Sequence, residues 1–109
     1  MRTRWGGFGK VSTEEYQEWA RRNIILSTQI ETKSGVEAID EIVALEGLDM
    51  VQSGRGDLSR HYGTPGNQYS EPVLAAERRV MEAGLKAGKM ASVQYYPMTR
   101  EEDYQHVKD

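Results

Sequence analysis

Hydrophobic residues in this chain alternate between short continuous runs and the spacing of an amphipathic helix. Tyr16, Trp19 and Ala20 form the first helical pattern and would share one face of a helix. Ser12 and Glu15 precede this face at the spacing of a capping box, a local arrangement that starts helices. We therefore predict an amphipathic helix that begins after Ser12.

Three runs of apolar and β-branched residues interrupt the helical spacing. The predicted strands are Ile24–Ile30, Leu48–Gln52 and Met90–Tyr95. Continuous apolar runs are typical of strands that are covered on both faces of a parallel sheet. We expect Ile24–Ile30 in particular to be a buried strand.

The segment between the first two strands has a helical pattern with its own boundary signals. Its apolar residues are Val36, Ile39, Ile42 and Val43. Ser34 and Glu37 form a second candidate capping box, and Gly47 is a candidate C-cap. The pattern predicts a helix between these signals.

The segment between the second and third strands contains a loop followed by a longer helix. Tyr62–Ser70 is rich in glycine, proline and asparagine, which favour turns. Pro72 suits the first turn of a helix. This helix is expected to run to about Ala87 and to be closed by Gly88.

The predicted elements follow the order α-β-α-β-α-β-α, with Thr99 and Glu102 opening the last short helix. Helices between successive strands require parallel pairing with right-handed crossovers. The fold class is therefore α/β, and residues 1–109 are expected to form one domain.

Composition excludes several classes of function. The net charge of −3 does not favour a polyanion partner such as nucleic acid, and the absence of cysteine excludes disulfides and thiolate metal sites. No apolar run approaches the roughly 20 residues that span a bilayer, and the N-terminal residues lack the apolar core of a secretory signal. We expect a cytoplasmic protein with neither a nucleic-acid nor a membrane partner.

Two acidic residues follow neighbouring predicted strands. Glu31 comes directly after the first strand, and Asp57 lies in the loop after the second. The carboxyl ends of parallel strands meet at one edge of the sheet, where α/β folds place their chemistry. Two carboxylates there suggest an oxygen-ligated divalent cation that could chelate a 2-oxo acid. The alternative is a pair of helix N-terminal acids favoured by the helix dipole.

The residues around these acids have two interpretations each. Gln29 lies two positions before Glu31 and shares its face of the strand, so it could donate to a bound oxo acid or be a buried structural amide. Gly54, Arg55 and Gly56 could offer backbone N–H groups to a carboxylate, or they could form a tight turn that requires glycine.

Other chemically reactive side chains are weaker candidates. Lys33 lies just beyond the end of a predicted strand, which leaves a Schiff-base aldolase open. His61 and His106 are expected to be solvated, and Ser59 lacks the context of a nucleophile elbow.

Taken together, several motifs resemble the HpcH/HpaI aldolase family. They are Gln29-Ile30-Glu31-Thr32, Gly35-Val36-Glu37, Asp40-Glu41-Ile42, Glu46-Gly47-Leu48-Asp49, Gly54 through Ser59 with Gly63, and the helix from Pro72 to Lys89. The family consists of class II pyruvate aldolases of the phosphoenolpyruvate-binding barrel superfamily. The resemblance covers about residues 20–95.

The resemblance implies a metal-dependent carbon–carbon lyase that cleaves 4-hydroxy-2-oxo acids to pyruvate and an aldehyde. Glu31 and Asp57 match the family's two ligands for Mg²⁺, Mn²⁺ or Co²⁺. Gln29 matches a residue near the bound oxo acid, and the backbone of Gly56 and Asp57 matches the segment that receives the substrate carboxylate. The complete enzyme is expected to be a homo-oligomer.

The chain departs from the family pattern in two respects. Arg55 replaces the usual proline, and a guanidinium at the mouth of the site is expected to alter substrate choice. The length is also short, because a (β/α)₈ barrel needs about 250 residues.

By resemblance, the three predicted strands are the fifth to seventh of a barrel. The family's catalytic histidine, its acidic partner and a substrate-binding arginine come from earlier strands and have no counterpart here. We therefore expect a partial (β/α)₈ TIM barrel from a longer enzyme, with the catalytic base outside this chain. The alternative is a non-catalytic half-barrel that binds a metal or oxo acid, or that completes a barrel with a partner chain.

Overall fold

A computed structural model describes residue 4 and residues 6–93. Its helices are α1 (Thr13–Asn23), α2 (Lys33–Glu37), α3 (Ile39–Val43), α4 (Arg55–His61) and α5 (Glu71–Lys86). Its strands are β1 (Ser27–Ile30), β2 (Met50–Ser53) and β3 (Met90–Ser92), and a short 3₁₀ turn spans Gly7–Gly9.

The three strands form a parallel sheet in the order β1-β2-β3, with helices between them. In the register, Ile30 lies opposite Ser53, and Val51 lies opposite both Thr28 and Ala91. The predicted α/β class with parallel pairing is confirmed. Because β1 and β2 run in the same direction, their carboxyl ends open onto the same edge of the sheet.

Helix α5 packs directly on the central strand. Val73, Val80 and Val51 are fully buried in the core between helix and sheet. A Cβ added to Gly84 would lie 2.5 Å from Cγ2 of Val51, so a glycine at this position lets the helix approach the strand closely. The core therefore lies behind β2 and supports the carboxyl end of that strand.

Two predicted helices agree well with the structure. In α1 the Ser12 hydroxyl accepts from the Glu15 N–H at 3.2 Å, and the Ser12 N–H donates to the Glu15 carboxylate at 3.1 Å, which completes the predicted capping box. In α5, Pro72 lies in the first turn, and Gly88 follows the C-cap with φ +73°. Within the described part of the chain, no helix is long and apolar enough to cross a membrane.

The prediction of a buried first strand is wrong over most of its length. The strand begins only at Ser27, and Ile24, Ile25 and Leu26 before it are 51%, 64% and 55% exposed. Of the described strands, β1 pairs with β2 alone, so it is an outer strand whose apolar flank is left uncovered. Apolar composition predicted the strand, but burial depends on neighbouring elements.

The helix predicted between β1 and β2 is two short helices. Thr32, and not Ser34, is the N-cap, because the Thr32 hydroxyl accepts from the Gly35 N–H at 3.0 Å. The two helices meet at Ala38. Gly47, with φ +85°, belongs to the turn beyond α3 instead of capping it.

The chain after β2 also differs from the prediction. The strand is shifted to Met50–Ser53, and helix α4 begins at Arg55, where a loop was predicted. Glycines at 54 and 56 disfavour a helix by intrinsic propensity, which obscured its start. The third strand spans Met90–Ser92, whereas Tyr95 and the helix predicted from Thr99 fall outside the described residues.

Candidate functional site

A chain of side-chain hydrogen bonds lies across the carboxyl ends of β1 and β2. Gln52 Nε2 donates to Gln29 Oε1 at 2.6 Å, and Gln29 Nε2 donates to Glu31 Oε1 at 2.7 Å. Gln29 and Gln52 are register partners in the parallel pair. Two neutral amides thus orient the carboxylate of Glu31, which is half-buried.

The backbone of Gly54 lies directly against the side chains of this hydrogen-bonded series. A Cβ at residue 54 would lie 2.7 Å from Glu31 Cγ and 2.8 Å from Gln29 Nε2. The Gly54 N–H donates to the carbonyl of Ile30 at 2.8 Å and extends the strand pairing by one residue. The sequence suggested that the N–H groups of residues 54–56 could bind a substrate carboxylate. The N–H of Gly54 is not available for that role, because it already bonds the carbonyl of Ile30.

Asp57 lies in the first turn of α4, the helix that leaves this edge of the sheet. Its side chain is 52% exposed and forms an ion pair with Arg60 at 3.2 Å. The Leu58 N–H begins the helical ladder by bonding to the carbonyl of Gly54 at 3.0 Å. The N–H groups of Gly56 and Asp57 precede that bond, at the end of the helix where positive partial charge accumulates.

The two predicted metal ligands have the chemistry of a hard-cation site. Glu31 and Asp57 could supply carboxylate oxygens, and Mg²⁺ commonly takes one or two carboxylates with water and substrate oxygens. The bond from Gln29 uses only one of about four lone-pair sites on the Glu31 carboxylate. The absence of a Cβ at Gly54 lets the Glu31 and Gln29 side chains lie directly against the backbone there. No group of three or more His, Cys, Asp and Glu side chains with metal-binding geometry occurs in the described residues, so any ion here would rely on few protein ligands.

A protein-family model described as HpcH/HpaI aldolase/citrate lyase matches residues 3–106. This chain belongs to that family. The predicted family is thereby confirmed, and the match extends beyond residues 20–95 on both sides.

Individual members of the HpcH/HpaI family support the same assignment. A hydroxypyruvate/pyruvate aldolase from Delftia acidovorans is 36% identical over 107 residues, covering 98% of this chain and 37% of that protein. A 2-keto-3-deoxy-L-rhamnonate aldolase from Escherichia coli K12 is 33% identical over 92 residues, covering 81% of this chain and 33% of that protein. The chain thus spans about a third of the length of the curated relatives that it matches.

A solved structure extends the match to the fold. An HpcH/HpaI aldolase/citrate lyase family protein from Burkholderia cenocepacia J2315 superposes with a TM-score of 0.80 at 26% identity. The superposition covers 96% of this chain and 40% of that chain. The three strands and their helices therefore have the arrangement of one part of a larger family member.

Arg55, the departure from the family motif, does not lie at the mouth of the site as predicted. Its side chain is fully buried, with Nε 3.4 Å from Oε2 of Glu77 on α5. The Ser53 hydroxyl donates to the same oxygen of Glu77, and Arg55 Cζ lies 5.2 Å from the centroid of the Tyr69 ring. The buried carboxylate of Glu77 holds the guanidinium behind the sheet edge, away from solvent.

The remaining reactive side chains near the edge are structural or exposed. The Ser59 hydroxyl donates to the Gly56 carbonyl at 2.7 Å and accepts from the Gly66 N–H at 3.2 Å, which ties the loop to α4. Burial raises the pKa of Tyr62, and the negative charge of Glu37 raises it further, so the phenol stays protonated at neutral pH. Lys33 and His61 are exposed.

Sequence reasoning missed two residues that this geometry brings forward. Gln52 stands two positions before Gly54, as Gln29 stands two positions before Glu31, and that parallel was the available signal. Glu77 lies on a helix rich in charged residues, where nothing in the local pattern marks it as buried. Both depend on strand register and helix packing.

Proposed function

We propose that this chain supplies the metal and oxo-acid portion of a carbon–carbon lyase that cleaves 4-hydroxy-2-oxo acids to pyruvate and an aldehyde. The observation that carries the proposal is the chain of hydrogen bonds from Gln52 through Gln29 to Glu31, seated against Gly54. Two relatives are named hydroxypyruvate/pyruvate aldolase and 2-keto-3-deoxy-L-rhamnonate aldolase, which supports an oxo-acid substrate.

In this proposal Glu31 and Asp57 hold Mg²⁺, Mn²⁺ or Co²⁺. When bound, the ion supplies positive charge that lowers the free energy of the negative charge developing on the oxo acid. Asp57 is available for this role because its ion pair with Arg60 is solvent-exposed, and exposed pairs contribute little free energy. Exchanging Arg60 for a cation therefore costs little.

The amide of Gln29 has a second function in the proposal. A primary amide carries two N–H donors, and one of them bonds Glu31. The other can donate to an oxygen of the oxo acid, while Gln52 holds the Gln29 carbonyl group and so fixes the direction of the donor. The backbone at Gly56 and Asp57, by family resemblance, receives the substrate carboxylate.

The proton-transfer base is proposed to lie outside this chain. We expect the isolated chain to show no retro-aldol turnover with a 4-hydroxy-2-oxo acid, measured by coupling pyruvate release to lactate dehydrogenase. Turnover at the level of a full-length family member would contradict this part of the proposal.

The metal site itself is tested by titrating the purified chain with Mn²⁺, with and without oxalate as an oxo-acid analogue. We expect oxalate to strengthen Mn²⁺ binding, and E31Q or D57N to weaken it at least about tenfold. The matched control is E41Q, which removes one negative charge from an exposed position on α3. An absence of Mn²⁺ binding, or equal binding by all variants, would overturn the proposal.

A second candidate function is a non-catalytic half-barrel that completes a barrel with a partner chain. It is favoured by the exposed residues Ile24, Ile25 and Leu26 beside β1, and by an apolar hollow of about 370 Å³ that Leu26, Ile42 and Leu45 help to line. Mixing this chain with the part of the Delftia acidovorans relative that it does not match would test this candidate by light scattering. A heterodimer without lyase activity would favour it, and a heterodimer with activity would favour the first proposal.

A further inference from the structure

A cluster of three buried polar side chains, with the partly buried Tyr69 beside them, lies behind the proposed site. Arg55 opens α4, Ser53 ends β2, Glu77 lies on α5 and Tyr69 lies in the loop before α5. The Arg55 guanidinium contacts Glu77 and the Tyr69 ring, and Ser53 shares the Glu77 carboxylate. The side chains of Arg55 and Glu77 together therefore join four segments that meet at the edge of the sheet.

Stability alone is a weak explanation for such a cluster. Arg55 and Glu77 are both 0% exposed, and removing two charges from water costs about as much as their attraction returns. Apolar residues of similar size at such positions are often as stabilising or more so. What a guanidinium adds over an apolar side chain is direction, because its planar fork accepts only certain positions of its partners.

The backbone on both sides of Arg55 is intrinsically flexible and gains most from a fixed side chain. Gly54 and Gly56 flank it, and glycine has the largest conformational freedom of any residue. A Cβ at Gly56 would meet nothing within 4 Å, so residue 56 has no side-chain packing of its own, although its carbonyl accepts from the Ser59 hydroxyl. Arg55 is the residue between the two glycines whose buried side chain ties this segment to α5.

We propose that Arg55 and Glu77 are positioning residues that fix the start of α4 and thereby the positions of Gly56 and Asp57. The inference rests on the proposed function for the role of Asp57, but the fixing of residues 54–57 stands apart from any ligand. Neither residue contacts the substrate in this proposal. Both act through the backbone conformation that they impose.

The deciding variant replaces the cluster with apolar side chains of similar size, S53A/R55M/E77L. It removes one positive and one negative charge, so the net charge and the long-range field at the site are unchanged. The matched control is D40N/R79Q, which removes the same two kinds of charge from an exposed pair on α3 and α5.

Backbone order parameters from ¹⁵N relaxation, measured on the full chain without metal, test the fixing of the segment. We expect values at residues 54, 56 and 57 to fall from about 0.85 toward about 0.6 in S53A/R55M/E77L, and to stay unchanged in the control. Unchanged order in a folded S53A/R55M/E77L variant overturns the proposal. If that variant does not fold, R55K decides, because it keeps the charge and loses the planar fork, and wild-type order in R55K overturns the proposal.

Titration with Mn²⁺ and oxalate then tests the consequence for the site. We expect S53A/R55M/E77L to bind the Mn²⁺–oxalate pair about tenfold more weakly at an unchanged melting temperature, with the control binding like wild type. Equal affinity in variant and wild type would overturn the positioning role. Failure of the wild-type chain to bind Mn²⁺ would instead overturn the proposed function, and the order parameters would still decide whether Arg55 fixes the segment.

Discussion

Two arginine–carboxylate pairs attach helix α5 to its neighbours, and they differ chiefly in their exposure to water. Arg55 and Glu77 are both 0% exposed and connect α5 to the start of α4. Arg79 and Asp40 are 44% and 72% exposed, and their bonds of 3.2 and 2.5 Å connect α5 to α3. The exposed pair has two hydrogen bonds, yet burial makes the other pair the more consequential one when a single partner is lost.

The physical reason is the fate of the partner that remains. Inside the protein a lone charge has no water to replace its partner, so breaking a buried pair leaves a large desolvation cost. At the surface, water and salt replace the partner at once. On the same helix, loss of one partner can therefore cost much of the free energy of unfolding in a buried arginine–carboxylate pair and almost none in an exposed pair.

The largest effect is expected from E77L, which removes one partner of the buried pair. Arg55 and the Ser53 hydroxyl would both lose their shared acceptor. We expect the free energy of unfolding to fall by about 3–5 kcal/mol, measured by urea denaturation. A loss below about 1 kcal/mol would mean that Arg55 finds another partner and that the comparison with the surface pair fails.

A smaller loss is expected from G84A, which tests how far α5 is held by packing instead of charge. The added Cβ would lie 2.5 Å from Val51 Cγ2, and Val51 is a fully buried β-branched residue that cannot easily move. We expect destabilisation of about 1–3 kcal/mol. The control is G56A, where the Cβ meets nothing and the helix should gain up to about 1 kcal/mol.

The apolar variant S53A/R55M/E77L should come close to wild-type stability. It replaces Ser53, Arg55 and Glu77 together, so neither charge of the buried pair is left without the other. We expect a free energy of unfolding within about 1 kcal/mol of wild type, although E77L alone is severely destabilised. Equal losses in E77L and in this variant would show that the ion pair itself stabilises the fold.

The smallest effect is expected from D40N at the surface pair. The hydrogen bond from Arg79 lowers the pKa of Asp40, and the attraction of the Arg79 charge adds to this. A lowered pKa in the folded state means that the pair stabilises the fold above the unfolded value of about pH 4, and that this contribution is lost as the pH falls through the lowered pKa.

Denaturation midpoints at neutral and acidic pH check this prediction. Wild type and D40N should differ slightly near pH 7 and converge under acidic conditions and in about 1 M salt, which screens exposed charges. A difference that persists in high salt would contradict the surface character of the pair.

Signals confined to neighbouring residues predicted much of the fold. The capping box of Ser12, the proline at 72 and the glycine at 88 placed two helices, and the apolar runs placed three parallel strands. The exposed flank of β1 was not predictable in the same way. Its residues are as apolar as a buried strand, and their exposure follows from which strands lie beside it.

The candidate site shows the same division. Glu31 and Gln29 share a face because side chains alternate along a strand, which the spacing already implied. Gln52 required the register between two strands, and the direction of Arg55 required its partner on α5, far along the chain. The face on which a side chain lies could be inferred from nearby residues. Contacts between residues far apart in the sequence could not.

The packing at Gly54 also limits how this site can change by mutation. Every base substitution that replaces this glycine adds at least a Cβ, and that atom would occupy the space of Glu31 and Gln29. The atoms displaced belong to side chains, so the fold could survive while the carboxylate moves. Residue 54 is therefore a position where a substitution would disturb Gln29 and Glu31, and with them the proposed site, before it disturbed the fold.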